Sequence, residues 1–285
     1  MKFIQFILLL ALAIIPLPLQ AQDKSEPFSN INFLKDRETV GDSQTIWFAL
    51  DAHLNDGWHT YWKLPGETGD PPTIEWQDAD NLLETEILFP APKRFQAAYG
   101  DVIGYDNHVT FPVKVTLQNK SKGFKGTAKI LLLACKEICV PVYRDFSINL
   151  PAGSGNHTSD VALIEMAIKA APTSNETNAL KIKKTERGQD TLTIHIQSNK
   201  RLSGPELFID NPEGVLFTRP TVEFSADSKE AILTVKTLTP LPDNTTMSAL
   251  PLTATIVDSG SAVMRQIPNH DEEQTGPTFL YILLL

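Results

Sequence analysis

Apolar and polar residues alternate with a period of two along much of this chain, the pattern of strands with one buried face. Residues 45–53 (Thr-Ile-Trp-Phe-Ala-Leu-Asp-Ala-His) are rich in β-formers and predict a strand, as do residues 85–89, 108–117, 126–134 and 142–150. In the third of these, Val109, Phe111, Val113, Val115 and Leu117 share one face, and Pro112 points to an edge strand or an irregular ladder. Turn-rich pieces lie between the strands at 64–72 (Leu-Pro-Gly-Glu-Thr-Gly-Asp-Pro-Pro) and 99–105 (Tyr-Gly-Asp-Val-Ile-Gly-Tyr). Many short strands with no intervening helices predict a β-sandwich.

The pattern changes after residue 150. Residues 151–156 predict a loop, and Ser159 is a candidate cap for a helix over 160–170 that carries Val161, Ile164 and Ile168 on one side and stops at Pro172. A polar linker, 173–178, leads to a second β pattern at 191–197, 206–210, 231–235 and 252–257. The expected class is all-β, a sandwich followed by a second, smaller one with no cysteine. The expected division is 1–21 leader, 22–155 first sandwich, 156–180 helix and linker, 181–268 second sandwich, and 269–285 acidic linker and apolar end. The last nine residues, 277–285, are too few to span a bilayer, which takes about twenty in a helix. They read either as a C-terminal strand or tail, or as the first turns of a transmembrane helix in a longer protein.

Compartment and charge narrow the function. Met1-Lys2 precedes an almost unbroken apolar run, Phe3 to Leu19, ending at Gln20-Ala21-Gln22, the layout of a secretory signal peptide cleaved after Ala21. Pro16 and Pro18 interrupt the run and disfavour a membrane anchor. Export permits persistent disulfides. A net charge of -9 supplies no basic stripe to neutralise phosphates, so nucleic acid is not an expected partner.

The only two cysteines, Cys135 and Cys139, lie in residues 131–141 (Leu-Leu-Leu-Ala-Cys-Lys-Glu-Ile-Cys-Val-Pro). In continuous strand their α-carbons would be about 13 Å apart, beyond the roughly 4.4–6.8 Å of a disulfide. Pairing therefore needs a bend at residues 136–138. It could be a helical turn, or a three-residue hairpin loop, although that loop has no glycine for a left-handed position. A bridge closing so short a loop restricts the unfolded chain by only about 2 kcal/mol, which favours exchange chemistry over a staple. Lys136 favours a thiolate and Glu137 opposes it, so no extreme thiol acidity is expected. A static bridge remains a second reading. A copper or zinc site is a third, with the thiols joined by a histidine from the same expected domain: His53, His59 or His108. The aromatic group at 58–62 (Trp-His-Thr-Tyr-Trp) reads as core or lid, or less simply as a sugar-stacking surface.

Taken together, residues 56–62 (Asp-Gly-Trp-His-Thr-Tyr-Trp), the Pro-Gly-Glu-Thr-Gly-Asp-Pro-Pro stretch, 89–92 (Phe-Pro-Ala-Pro), Tyr99-Gly100, Gly104-Tyr105 and 134–141 (Ala-Cys-Lys-Glu-Ile-Cys-Val-Pro) resemble the N-terminal periplasmic domain of the thiol:disulfide interchange protein DsbD. The closer resemblance is to its ScsB-type (suppressor of copper sensitivity) relatives, and it covers about residues 30–150. It implies an immunoglobulin-like, periplasmic domain in a protein-disulfide reductase, needing no cofactor. Such a domain takes electrons through a membrane domain, here expected beyond residue 285, and a thioredoxin-fold donor, and passes them to an extracytoplasmic thioredoxin-fold acceptor. Cys135 and Cys139 then form the redox pair, with Cys139 matching the cysteine that forms the mixed disulfide. His59, Tyr61, Tyr99 and Tyr105 are the residues expected to line and shield it. The family's shielding phenylalanine before Tyr-Gly is Ala98 here, leaving Phe95 or Tyr99 as substitutes.

Overall fold

The computed structural model describes residues 26–97, 100–174, 179–242, 245–269 and 272–273. The expected leader, Tyr99 and the apolar stretch 277–285 lie outside them. Among the described residues no helix is long and apolar enough to cross a membrane.

Ten strands build the first sandwich: β1 (Phe28–Lys35), β2 (Thr45–Leu54), β3 (His59–Gly66), β4 (Thr73–Asp80), β5 (Leu82–Ile87), β6 (Lys93–Ala97), β7 (Gly100–Asp106), β8 (His108–Leu117), β9 (Phe124–Cys135) and β10 (Cys139–Leu150). One sheet runs β1-β2-β8-β5; the other runs β10-β9-β3-β7-β6, with β4 also paired to β9. Alternation sends Phe48, Leu50 and Ala52 of β2 and Phe111, Val113 and Val115 of β8 inward, towards Ile130, Leu132 and Ala134 of β9. Each large side chain so buried contributes about 1.5–3 kcal/mol. Trp58 and Trp62 belong to this core, which removes them from any sugar-stacking surface.

Two sequence expectations are corrected here. Of the two readings of Pro112 the edge strand fails, because its strand is flanked on both sides, while the ladder with β5 does end beside it, at Ile87 opposite Val113. The Pro112 carbonyl accepts from Leu88, one residue past the end of β5, so the missing N–H falls where the ladder has already stopped. Ser159 does not cap the helix: α1 (Val161–Ala170) starts after Asp160 without a side-chain cap, and Thr158 Oγ1 instead accepts from the Asp160 N–H. Ile164 and Ala167 bury against the outer side of the four-stranded sheet.

The second sandwich comprises β11 (Leu180–Arg187), β12 (Thr191–Ser198), β13 (Glu206–Asp210), β14 (Thr221–Phe224), β15 (Glu230–Lys236), β16 (Leu252–Asp258), β17 (Ser261–Ile267) and β18 (Glu272–Glu273). Its sheets, β14-β15-β12-β11-β18 and β13-β16-β17, enclose a core of Leu192, Ile194, Leu233, Val235, Ala254 and Ile256 among others. β13 joins the two sandwiches. Leu207 and Ile209 point into the second core, whereas Phe208 turns the other way, joins the first core and meets the Trp62 ring at 5.5 Å.

Candidate functional site

β9 and β10 pair in unbroken register from Leu150 opposite Phe124 to Cys139 opposite Cys135. The bend between the cysteines is therefore a hairpin loop of Lys136, Glu137 and Ile138, not a helical turn. None of the three adopts a positive φ, so the loop closes without the glycine that such loops commonly use. The α-carbons of Cys135 and Cys139 are 4.1 Å apart and their sulfurs are bonded.

Alternation on β9 decides which way the disulfide faces. Leu132 and Ala134 fill the sandwich core, so Leu133 and Cys135 point to the opposite face of the six-stranded sheet. There Cys135 joins a small separate cluster with Tyr61 of β3, Val102 of β7 and the half-buried Phe95 of β6. Cys135 is 4% exposed, whereas Cys139 is exposed at the hairpin tip beside Ile138, itself 66% exposed. One sulfur is packed and the other open.

Tyr61 is the closest polar neighbour. Its hydroxyl donates to Cys135 Sγ at 2.8 Å and lies 3.6 Å from Cys139 Sγ. Burial raises the phenol pKa, the Asp70 charge adds to this, and a hydrogen bond with Thr68 only partly offsets it, so Tyr61 remains a neutral donor. The ring is backed by Gly69: a Cβ there would meet the phenol carbons at 2.2 Å, and φ is +96°. The glycine of the turn-rich stretch is thus the seat for the tyrosine. Gly104, opposite Tyr61, has a similar steric cause, because a Cβ would lie 1.9 Å from the Thr60 carbonyl oxygen.

His59 pairs with Cys135 across β3 and β9. Its ring stacks on Phe95 at 5.8 Å and sets its edge to Tyr61 at 5.7 Å, with Nε2 buried and lacking a hydrogen-bond partner among the described residues. Burial pulls its pKa down, so the neutral imidazole is favoured. Phe95 therefore occupies the flank of the pair through its contacts with His59 and the Cys135 cluster. Tyr105, expected there too, instead faces the sandwich core, donates its hydroxyl to the Pro90 carbonyl at 2.8 Å and packs on Phe111. Its position on β7 has the opposite parity to Val102 and Gly104. Tyr99 lies outside the described residues.

The histidines do not assemble around the thiols as a group. His59 is adjacent, but His53 and His108 lie on β2 and β8 in the other sheet.

Sequence reasoning missed the second sandwich's grip on the hairpin β6–β7. Arg94 Nε donates to Glu206 at 3.0 Å, its guanidinium lies 5.0 Å from the Phe208 ring centre, and Nη1 reaches Asp101 at 3.3 Å. Arg219 donates to both Asp101 oxygens at 2.7 and 2.6 Å. The Arg219 hydrogen bond, then the Arg219 and Arg94 charges, outweigh burial and hold the Asp101 carboxyl below its usual pKa. Lys63 of β3 adds a bond to Asp210 at 2.9 Å. The hairpin that carries Phe95 is thus tied to the second sandwich at its Arg94–Ile103 and Gln96–Asp101 rungs.

An immunoglobulin-like sandwich with a disulfide on its outer sheet face defines the class of this domain. Residues 32–151 match the family described as thiol:disulfide interchange protein DsbD, N-terminal. Residues 170–270 match a family described as a domain of unknown function (DUF8393). The solved N-terminal periplasmic domain of ScsB from Proteus mirabilis superposes with a TM-score of 0.63 at 22% identity, covering 84% of this chain and 92% of that one. That share exceeds either sandwich alone, so the likeness of fold spans both. A marsupial T cell receptor aligns over 85% of this chain and 97% of its own at 8% identity, with a TM-score of 0.23, too low to bear on the fold. No curated protein matches the chain. Family and disulfide together make the first sandwich a thiol:disulfide exchange module.

Proposed function

We propose that this module works in the periplasm as a reductant shuttle, receiving electrons from one thioredoxin-fold protein and delivering them to another. The observation that carries the reading is the asymmetry of the pair: Cys139 is open at the loop tip, while Cys135 is packed under Tyr61. The periplasmic assignment draws on the solved ScsB domain, described as periplasmic, and on the expected leader.

In the delivering half-reaction the Cys139 thiolate attacks one sulfur of the acceptor's disulfide. A mixed disulfide forms, and the acceptor's second sulfur leaves as a thiolate and takes up a proton. Cys135, once deprotonated, attacks Cys139 Sγ; the internal bond forms and the acceptor departs as a dithiol, two electrons and two protons richer. In the receiving half-reaction a donor thiolate attacks Cys139 Sγ and Cys135 is the leaving sulfur; the donor's second thiolate then attacks its own sulfur in the mixed disulfide, so Cys139 leaves as a thiolate and the donor departs as a disulfide. The Tyr61 hydroxyl, already aimed at Cys135, stabilises the charge that develops there. His59 and Phe95 limit access from the flank, so that a partner must approach over Ile138. No cofactor takes part. The second sandwich positions the β6–β7 hairpin, and the chain is tethered to the membrane beyond residue 285.

The test is stoichiometric exchange. Protein reduced and freed of reductant is mixed with an oxidised thioredoxin-fold protein, and both are read by thiol alkylation. Transfer of one dithiol equivalent, abolished in Cys139→Ser, supports the reading. An unchanged acceptor, with the wild-type protein shown to be fully reduced, overturns it.

A further inference from the structure

The other sheet carries a second cluster of chemically capable side chains. β2 and β8 are antiparallel neighbours, and their register sets Asp51 opposite Thr110 and His53 opposite His108. Leu50, Ala52, Val109 and Phe111 fill the core, so these four alternate residues face outward. His53 Nε2 lies 3.1 Å from Asp51 Oδ2 and His108 Nε2 lies 2.7 Å from Asp51 Oδ1. The two imidazoles stack at 4.2 Å with 16° between their planes. One ligating atom from each of the three residues falls within 4.8 Å of the other two.

Two imidazole nitrogens and a carboxylate oxygen are a donor set for borderline divalent cations. Around such an ion, ligands held at about 2.0–2.1 Å in tetrahedral geometry are separated by roughly 3.3 Å, near the two His–Asp spacings, and the stacked rings would swing apart for both Nε2 atoms to face one ion. The setting suits an ion in three further ways. Asp51, 6% exposed, also accepts at Oδ1 from Thr110 Oγ1 at 2.7 Å, a hydrogen bond of the kind that orients ligating carboxylates, and that hydroxyl lies 3.3 Å from His108 Nε2. The imidazoles are 44% and 43% exposed, which leaves a route in and room for water as a further ligand. All the residues sit on paired strands, so the arrangement does not depend on a loop.

We propose that Asp51, His53 and His108 form a binding site for a divalent cation, Zn2+ or Cu2+, on the opposite sheet from the redox pair. The site needs no thiol, so it operates whether or not Cys135 and Cys139 are bonded. This distinguishes it from a metal centre built on the cysteines.

Calorimetric titration of the full chain with its disulfide intact tests this, using ZnCl2, CuCl2 and, as a hard-cation control, MgCl2. One equivalent of Zn2+ or Cu2+ should bind, Cu2+ the more tightly, and Mg2+ should not. His53→Gln and His108→Gln should each weaken binding by more than about tenfold, since losing only an outer-shell partner already costs about 10–100-fold. Both histidines are half-exposed, and circular dichroism confirms that each variant is folded. In the Cu2+ arm, electron paramagnetic resonance should show nitrogen ligation that each variant reduces. No saturable binding of either ion, or binding unchanged in both variants, overturns the proposal. Neither result touches dithiol transfer by the cysteines, which is read separately by alkylation.

Discussion

The Tyr61 hydroxyl and the Cys135 sulfur are 2.8 Å apart on the face of the sheet turned away from the sandwich core. The contact places a neutral donor against the sulfur that leaves in the proposed exchange. Tyr61→Phe keeps the ring seated on Gly69 and removes only that donor. A hydrogen bond to a charged group is worth about 1.5–3 kcal/mol, so reduction of the oxidised protein by dithiothreitol should slow by about tenfold or more. Stopped-flow or quenched alkylation gives the rate, with little change in Tm expected.

Ile138 stands exposed beside Cys139 where an incoming partner would dock. Burying such a side chain at an interface contributes about 1.5–3 kcal/mol. Ile138→Ser should therefore slow exchange with a thioredoxin-fold protein by about tenfold or more while leaving the rate with dithiothreitol nearly unchanged. Equal slowing with both reagents would place the effect in the disulfide itself.

Arg219 links the second sandwich to Asp101, which lies opposite Gln96 in the β6–β7 hairpin. The Arg219 side chain is half-exposed, and pairs of this kind are worth at most about 1 kcal/mol. Arg219→Ala should thus raise amide exchange in residues 93–106 by no more than about fivefold, and reaction with glutathione to a similar extent. The sign of the acid dependence follows from Asp101, whose folded pKa lies below the ordinary 3.8. Its contribution is complete above that value and disappears as pH falls through the folded pKa, so the wild type and Arg219→Ala should converge in strong acid.

His59 gives a second, milder pH response. Burial lowers its pKa from 6.5, so the folded state resists protonation. Stability attached to the neutral ring is complete above 6.5 and declines as pH falls towards the folded pKa. Chemical denaturation of the oxidised protein between pH 7.5 and 5 should show this loss, and His59→Phe, which retains stacking on Phe95, should flatten it.

The strands that matter most to the hairpin were legible because β2, β8, β9 and β10 alternate cleanly. β3, β6 and β7 were not, since Pro65, Gly66, Gly100 and Gly104 give them the texture of turns. The structure supplies the reason: β3 breaks register between Tyr61 and Gly66, and Gly104 is required by contact with the Thr60 carbonyl. The cysteine spacing narrowed the bend to two solutions, and only strand register chose between them. Tyr61 was identified through family resemblance, but Tyr105 carried no sign of parity and faces the core. Asp51 was silent, because a lone aspartate in an apolar strand has no meaning until β8 is laid beside it. The interface left one readable trace: Leu207, Phe208 and Ile209 are apolar in succession, as a short strand buried on both faces should be.

The account rests on Cys139 meeting the partner while Cys135 resolves. Cys135→Ser and Cys139→Ser proteins, each incubated with an oxidised thioredoxin-fold protein and separated without reductant, measure this directly. A disulfide-linked adduct from Cys135→Ser, mapped to Cys139 and absent from Cys139→Ser, is the expected result. An adduct formed only through Cys135, or none from folded Cys135→Ser protein, would contradict it.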